Sequence, residues 1–366
     1  MSKVLMLQLA WLNHQYLDDI MHLSLHHSLH HSLHRSLHRS LASLRCGVLA
    51  ALFLVGATAA ASRAAEPALG AWRVRVLSTY TKPLAHEGPV FIPETQELFF
   101  TSNRLKRPDG SQYVIASMFN VATGKTRDLG LTESIPMANG AFRLHNGSLG
   151  VTMQGDHTHP AGLASYNPAT GNVQILTKGF ASYQFNSPND VVQASDLAIW
   201  FTDPQYGYEQ GFRPKPTMGN WVWRLDGSGQ KQRLMMDGFA KPNGIAFSRD
   251  QRYVYVTDSG YIAGNGDRDS VLPRTIYRYR VMSTPEGPLA TDRITFCVVT
   301  KGIPDGLKVD EQDCIWTGTG AGLEIFSKDG TPLAVIPIEG GVSNFALTGD
   351  GGAYVMGETK LYRLDS

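Results

Sequence analysis

One pattern recurs six times along this chain: a polar residue, a short apolar strand, a tight turn, then a second strand rich in β-branched and aromatic residues. Glu87-Gly-Pro-Val-Phe leads into ELFFTSN, Asn139-Gly-Ala-Phe into SLGVTMQG, and Asn189-Asp-Val-Val into LAIWFTDP. Asn243-Gly-Ile-Ala-Phe leads into RYVYVTDSG, Asp305-Gly-Leu-Lys into CIWTGTG, and Asn344-Phe-Ala-Leu into GAYVMGE. The polar residues lie 52, 50, 54, 62 and 39 positions apart. A four-stranded propeller blade takes ~40–50 residues. Two further strands follow most pairs, such as WVWRLD (221–226) and QRLMM (232–236). Apolar and polar residues alternate over short runs, which argues for strands, and no convincing amphipathic helix follows residue 66. The expected fold is all-β: a six-bladed β-propeller with four-stranded blades, spanning residues 66–366.

The last repeat has room for only three strands, FALTG, GAYVM and KLYRLD. WRVRVLS (72–78) is a strand with no blade of its own. It is expected to supply the missing outer strand, because an open seam would leave an unpaired sheet edge.

The repeated polar position reads Glu87, Asn139, Asn189, Asn243, Asp305, Asn344. Each can offer a side-chain oxygen. First strands line the channel of a propeller, so these side chains should converge on one point. Oxygen donors with two anions among them suit a hard cation such as Ca²⁺, which takes six to eight oxygens. Another divalent cation fits the same set. No Cys or His stands at the position, which disfavours zinc and copper. Asn, Asp and Gly are also common turn residues that cap strand entries; six oxygen-bearing residues in six repeats outweigh that reading. Asn344 lacks a following Gly or Asp and Asn139 a preceding Pro, so the metal set is read as Glu87, Asn189, Asn243 and Asp305, with Asn139 beside the substrate.

Chain direction places the loops between second and third strands, and between fourth and next first strands, over this ring. Two are long, 203–220 and 258–274. Long loops beside a pocket are often binding loops. Tyr206, Tyr208 and Arg213 are the expected substrate contacts, against the plainer reading of aromatics packing a surface.

Residues 1–65 are expected to be a leader outside the fold. LHHSLHHSLHRSLHRSL is low-complexity sequence, and translation could also start at Met21. Arg45 and the apolar run 46–61 fit a secretory signal peptide over about 41–65; the run is shorter than the ~20 residues a spanning helix needs. The expectation is a secreted protein with no membrane segment in its mature form, with a signal anchor as the alternative. Asn146-Gly-Ser148 is a glycosylation sequon consistent with export. Cys297 and Cys314, the cysteines beyond the leader, are expected to be buried and unpaired. With 33 Lys and Arg against 32 Asp and Glu, an electrostatic nucleic-acid binder is disfavoured.

The chain resembles the SMP-30/gluconolactonase superfamily, and within it the fungal-type lactonohydrolases. The matching stretches run in order through most of the mature chain: HEGPVFIPETQELFFTS (86–102), FNSPNDVV (185–192), FTDPQYGYEQGFRP (201–214), GFAKPNGIAFS (238–248), VTDSG (256–260), GIPDGLKVD (302–310) and ETKLYRL (358–364). The resemblance implies a six-bladed propeller, a divalent metal, usually Ca²⁺, and hydrolysis of a small-molecule lactone such as an aldonolactone or pantolactone. It implies that Glu87, Asn243 and Asp305 hold the metal and that Asn189 lies at the metal or the substrate. Lys308, where relatives often carry His, and QGDHTHPAG (154–162) depart from the pattern and bear on substrate range.

Asp305 or Glu87 is the expected general base for an attacking water. His86 should point away, since neighbours on a strand face opposite sides; His157 and His159 are loop alternatives. No Ser or Cys occupies a nucleophile elbow. Two other functions share this architecture: a strictosidine-synthase-like enzyme, which generally lacks the acid/Asn set, and a non-catalytic binding propeller.

Overall fold

In the computed structural model, residues 72–365 are described; the expected leader, signal peptide and alternative start lie outside them. The described residues belong to a single compact unit, 69–366. They form six four-stranded antiparallel sheets. Blade 1 comprises β2 (Glu87–Ile92), β3 (Glu97–Thr101), β6 (Ala116–Asn120) and β7 (Lys125–Asp128), with a small hairpin, β4 (Leu105–Lys106) and β5 (Gln112–Tyr113), inserted after β3. Blade 2 is β8 (Ala138–Arg143), β9 (Leu149–Met153), β10 (Gly162–Tyr166) and β11 (Val173–Thr177). Blade 3 is β12 (Val191–Gln193), β13 (Ile199–Asp203), β14 (Trp221–Leu225) and β15 (Gln232–Met236), with one short helix, α1 (Tyr206–Glu209), between its middle strands. Blade 4 is β16 (Pro242–Phe247), β17 (Tyr253–Asp258), β18 (Thr275–Met282) and β19 (Leu289–Val298). Blade 5 is β20 (Leu307–Val309), β21 (Ile315–Thr319), β22 (Gly322–Phe326) and β23 (Pro332–Pro337). Blade 6 joins β24 (Phe345–Thr348), β25 (Gly352–Gly357) and β26 (Lys360–Asp365) to β1 (Arg73–Thr79).

The strand periodicity explains the packing. Successive side chains point to opposite faces of a sheet, and each inner sheet is covered on both faces by its neighbours. On β13, Trp200 packs toward blade 4 with Ile245 and Val254, while Ile199 and Phe201 pack toward blade 2 with Leu163. On β17, Val254 and Val256 face blade 3 and Tyr255 faces blade 5, against Ile315 and Phe326. Second strands therefore read as nearly unbroken apolar runs, and β13 and β21 are buried throughout. Outer strands such as β7 are mostly exposed. Each fully buried large side chain contributes roughly 1.5–3 kcal/mol of burial.

The ring closes as expected from the strand count. β1 pairs antiparallel with β26, from Arg73 opposite Asp365 to Thr79 opposite Lys360. Trp72 meets Trp316 edge to face at 5.2 Å, tying the start of the seam to blade 5. Cys297 and Cys314 are free and buried. Among the described residues, no helix is long and apolar enough to cross a membrane.

Deleting residues 72–79 should leave blade 6 with three strands and an unpaired edge on β26. The expected result is a lower melting temperature and self-association, read by calorimetry and light scattering; a monomer that melts like the full chain would contradict the closure.

Candidate active site

The inner strands crowd the axis, and the residue after each ring position shows the consequence. A Cβ built on Gly88 would lie 2.5 Å from the Asn139 carbonyl oxygen, on Gly140 2.4 Å from that of Asn189, and on Gly244 2.5 Å from that of Asp305. The Asn-Gly and Asp-Gly pairs that resemble turns in the sequence are clearances between blades. Buried threonines on the second strands complete the contact. Thr101, Thr152, Thr202 and Thr257 donate their hydroxyls to the carbonyl oxygens of Asn139, Asn189, Asn243 and Asp305, at 3.0, 2.8, 2.7 and 3.0 Å. With their backbones held this way, the ring residues direct their side chains into the channel.

Glu87, Asn139, Asn189, Asn243 and Asp305 line one cavity of about 240 Å³ on the axis. The Oδ1 atoms of Asn139 and Asn189 are buried there without a hydrogen-bond partner. Asn243 Nδ2 donates to Asp305 Oδ1 at 2.8 Å. Asn344 is different. Its Oδ1 accepts the Phe345 N–H at 2.8 Å and faces Lys308 Nζ at 3.4 Å, so its Nδ2 is turned to Glu87 Oε2 at 2.7 Å. Asn344 thus spends its oxygen and holds Glu87, in keeping with its exclusion from the donor set. Asn139 presents the same bare oxygen to the cavity as Asn189.

Burial, then the charge of Asp305, raises the pKa of Glu87; burial raises that of Asp305 against the pull of His86 and Asn243. Two such carboxylates are costly to ionise together without a compensating charge. Among the described residues no group of three or more His, Cys, Asp and Glu is arranged to hold a metal. A cation here would be held by two carboxylates completed with amide oxygens, a donor set that fits Ca²⁺ or another oxygen-seeking divalent ion.

His86 lines the same cavity, contrary to the expectation from strand alternation. His86 precedes the first residue of β2, Glu87, so it is not a strand residue and the alternation rule does not reach it. His86 Nδ1 lies 2.7 Å from Glu358 Oε1. Burial opposes its charged form, but Glu358, Glu87 and Asp305 outweigh that and lift its pKa to about 9. A cation in the ring would push it back down.

The loop residues divide. Tyr206, in α1, lines the cavity, and its hydroxyl is buried without a partner. Burial, then the Asp305 charge, holds its pKa well above the ordinary value, so it is a permanent donor. Tyr208 is 46% exposed and lies off the cavity. Arg213 is buried, and its guanidinium bonds the carbonyls of Asn186, Asp156, His159 and Phe185 at 2.8–3.0 Å. It clamps loops together and has no donors left for a substrate. His157 and His159 line a separate surface cavity of about 630 Å³ that contains none of the ring residues.

Asp190 and Lys308 are residues the sequence reading left without a role in the ring. Asp190 follows Asn189 where four of the other five repeats have Gly, and accepts the N–H groups of Val191 and Ile245 at 2.9 and 3.2 Å. Burial raises its pKa, and the nearby Lys308 charge opposes the shift. That departure from Gly was the available signal. Gln154 and Asn103 also border the cavity.

A closed six-bladed propeller with a buried acid–amide ring at one channel mouth defines the structural class. The chain belongs to the SMP-30/Gluconolactonase/LRE-like family, whose model matches residues 85–355. It is 29% identical over 286 residues to the lactonohydrolase oryL of Aspergillus oryzae, covering 72% of this chain and 63% of that protein. The match therefore spans less than two thirds of that relative. A gluconolactonase from Zymomonas mobilis is 27% identical over 266 residues, 68% of each chain. The solved structure of a gluconolactonase from Xanthomonas campestris superposes with a TM-score of 0.67 at 26% identity, covering 81% of this chain and 90% of that one.

Thr202→Val keeps the shape of the side chain but strands the buried Asn243 carbonyl and removes the acceptor of the Asp190 N–H. Urea denaturation should report a loss of about 1–3 kcal/mol; an unchanged midpoint would mean that the carbonyl needs no such partner.

Proposed function

We propose that the axial cavity hydrolyses a lactone to its hydroxy acid, with a divalent cation, Ca²⁺ by preference, held by Glu87, Asn189, Asn243 and Asp305. The observation that carries this reading is the pair of buried, unpartnered amide oxygens, on Asn139 and Asn189, facing two buried carboxylates in one cavity. The names of the relatives support the reaction class, and the shape of the cavity suits a small molecule. Asn139 either extends the donor set or bonds the substrate.

When bound, the cation polarises the lactone carbonyl and offsets the charge that develops on its oxygen. Asp305, more open to the cavity than Glu87, takes a proton from the attacking water. The water oxygen bonds the carbonyl carbon, the ring C–O bond breaks, and a proton ends on the released alkoxide. Glu87 stays fixed by Asn344 and anchors the ring. Tyr206 donates its hydroxyl to a substrate oxygen. His86, held by Glu358, stands at the cavity edge as a proton donor to the leaving oxygen. We propose also that the leader directs export and is removed before about residues 62–66; N-terminal sequencing of secreted protein checks this, and an intact apolar segment on a membrane-bound product would favour an anchor.

Chelation should abolish lactone hydrolysis, and Ca²⁺ should restore it. Asp305→Asn should lower kcat/KM by at least about 10²-fold and weaken Ca²⁺ binding, measured by calorimetry. Asn243→Ala keeps both anions, so its activity should recover in part at high Ca²⁺. If both variants match the wild type after chelation, the ring is not the active site.

A further inference from the structure

The axial cavity adjoins a second cavity of about 600 Å³, over blades 4 to 6, with which it shares His86, Ile262, Ile303 and Asp305 as lining. The outer part is lined by three cations, Arg268, Arg274 and Lys301. None of the three takes part in an ion pair among the described residues, where Arg–carboxylate pairs are common elsewhere on the surface. Of the anions on the same walls, Glu358 is matched by His86, and Asp305 belongs to the ring.

The cations are carried by an ordered loop. Arg268 is bridged to Ile262, whose side chain borders both cavities. Tyr261 N–H bonds Pro273 O at 2.7 Å, and Asp269 N–H bonds Tyr261 O at 2.9 Å. Arg274 lies over the Tyr261 ring at 5.7 Å. The inner end of the combined space is thus acidic and suited to a cation, and its outer end carries unpaired positive charge. Guanidinium groups match carboxylate and phosphate oxygens, and a concentration of one sign of charge in a cleft selects ligands of the other.

On this geometry, and resting on the lactone reading above, we propose that the outer cavity is an anion subsite. The preferred substrate is a lactone bearing a carboxylate or phosphate remote from its reacting carbonyl. Arg268, Arg274 and Lys301 bind that group and set the ring carbonyl over the axial site.

The test compares neutral glucono-lactone, the carboxylate-bearing glucaro-lactone and 6-phosphoglucono-lactone, with the wild type and an Arg268→Gln/Arg274→Gln/Lys301→Gln variant. All three residues are exposed, so the variant should melt like the wild type. At low salt, kcat/KM for at least one acidic lactone should exceed that for the neutral one. The variant should lose about tenfold or more on the acidic substrate only, and added salt should reproduce much of that loss. The acidic substrate with the larger loss identifies the anion. Calorimetry with glucarate, 6-phosphogluconate and gluconate gives a readout independent of turnover: the doubly acidic ligands should bind more tightly than gluconate, and the variant should erase the difference. If no lactone is hydrolysed but this binding difference is present, the subsite stands and the lactone reading falls. Equal treatment of neutral and acidic ligands by the wild type, or equal losses on both in the variant, overturns the subsite.

Discussion

Crowding at the propeller axis governs the rest of the structure. Inner strands approach so closely that a methyl group on Gly140 or Gly244 would meet the next blade's carbonyl at 2.4–2.5 Å. At these glycines no side chain fits between blades, and the facing carbonyl is shut off from water. A stranded buried carbonyl costs about 1–3 kcal/mol. Threonines on the second strands of blades 1 to 4 supply the donors, so each of these strands satisfies the backbone of the next blade. The same contact fixes the direction of the ring side chains. Structural economy and site construction are here one set of bonds.

That arrangement concentrates buried charge. Glu87 and Asp305 line the axial cavity, and Asp190 lies close to them with its carboxylate on two backbone N–H groups. Lys308 supplies a positive charge close to Asp190 and fixes the Asn344 amide, which in turn bonds Glu87. His86 faces Glu358 at the seam. Each anion except the Glu87–Asp305 pair has a local answer. The pair has only amide N–H groups and the pull of His86, beside two amide oxygens that repel rather than compensate it. An oxygen-lined space with that imbalance favours a cation on elementary electrostatics.

Much of this was legible because it repeats. The blades showed as a period near fifty residues, and the closing role of β1 followed from counting strands in the last repeat. The ring residues followed from translating one position through six units. What did not repeat was harder to read. His86 stands just before β2, where an alternation rule for strands no longer applies. Arg213 resembled a ligand for substrate, but its partners are main-chain carbonyls, which carry no signature in side-chain sequence. Tyr206 and Tyr208 sit two residues apart on one short helix, and only the helix geometry separates the buried ring from the exposed one.

The division between repeated and unrepeated parts also assigns different work to each. Strands build the ring, and three unlike insertions build its walls: the β4–β5 hairpin, the α1 segment and the loop 259–274. These walls hold one another. Glu209 in α1 accepts the Gly264 N–H at 2.6 Å and lies 3.3 Å from Lys241, while Gln112 Nε2 donates to Gln210 O at 2.9 Å. Few of those bonds involve a ring residue. A change in the walls can therefore alter which molecule fits without disturbing the donors at the axis, whereas a change at a ring glycine or second-strand threonine strikes the fold and the donors together. Selectivity can vary on this scaffold while the axial chemistry stays constant, because the two rest on separate sets of contacts.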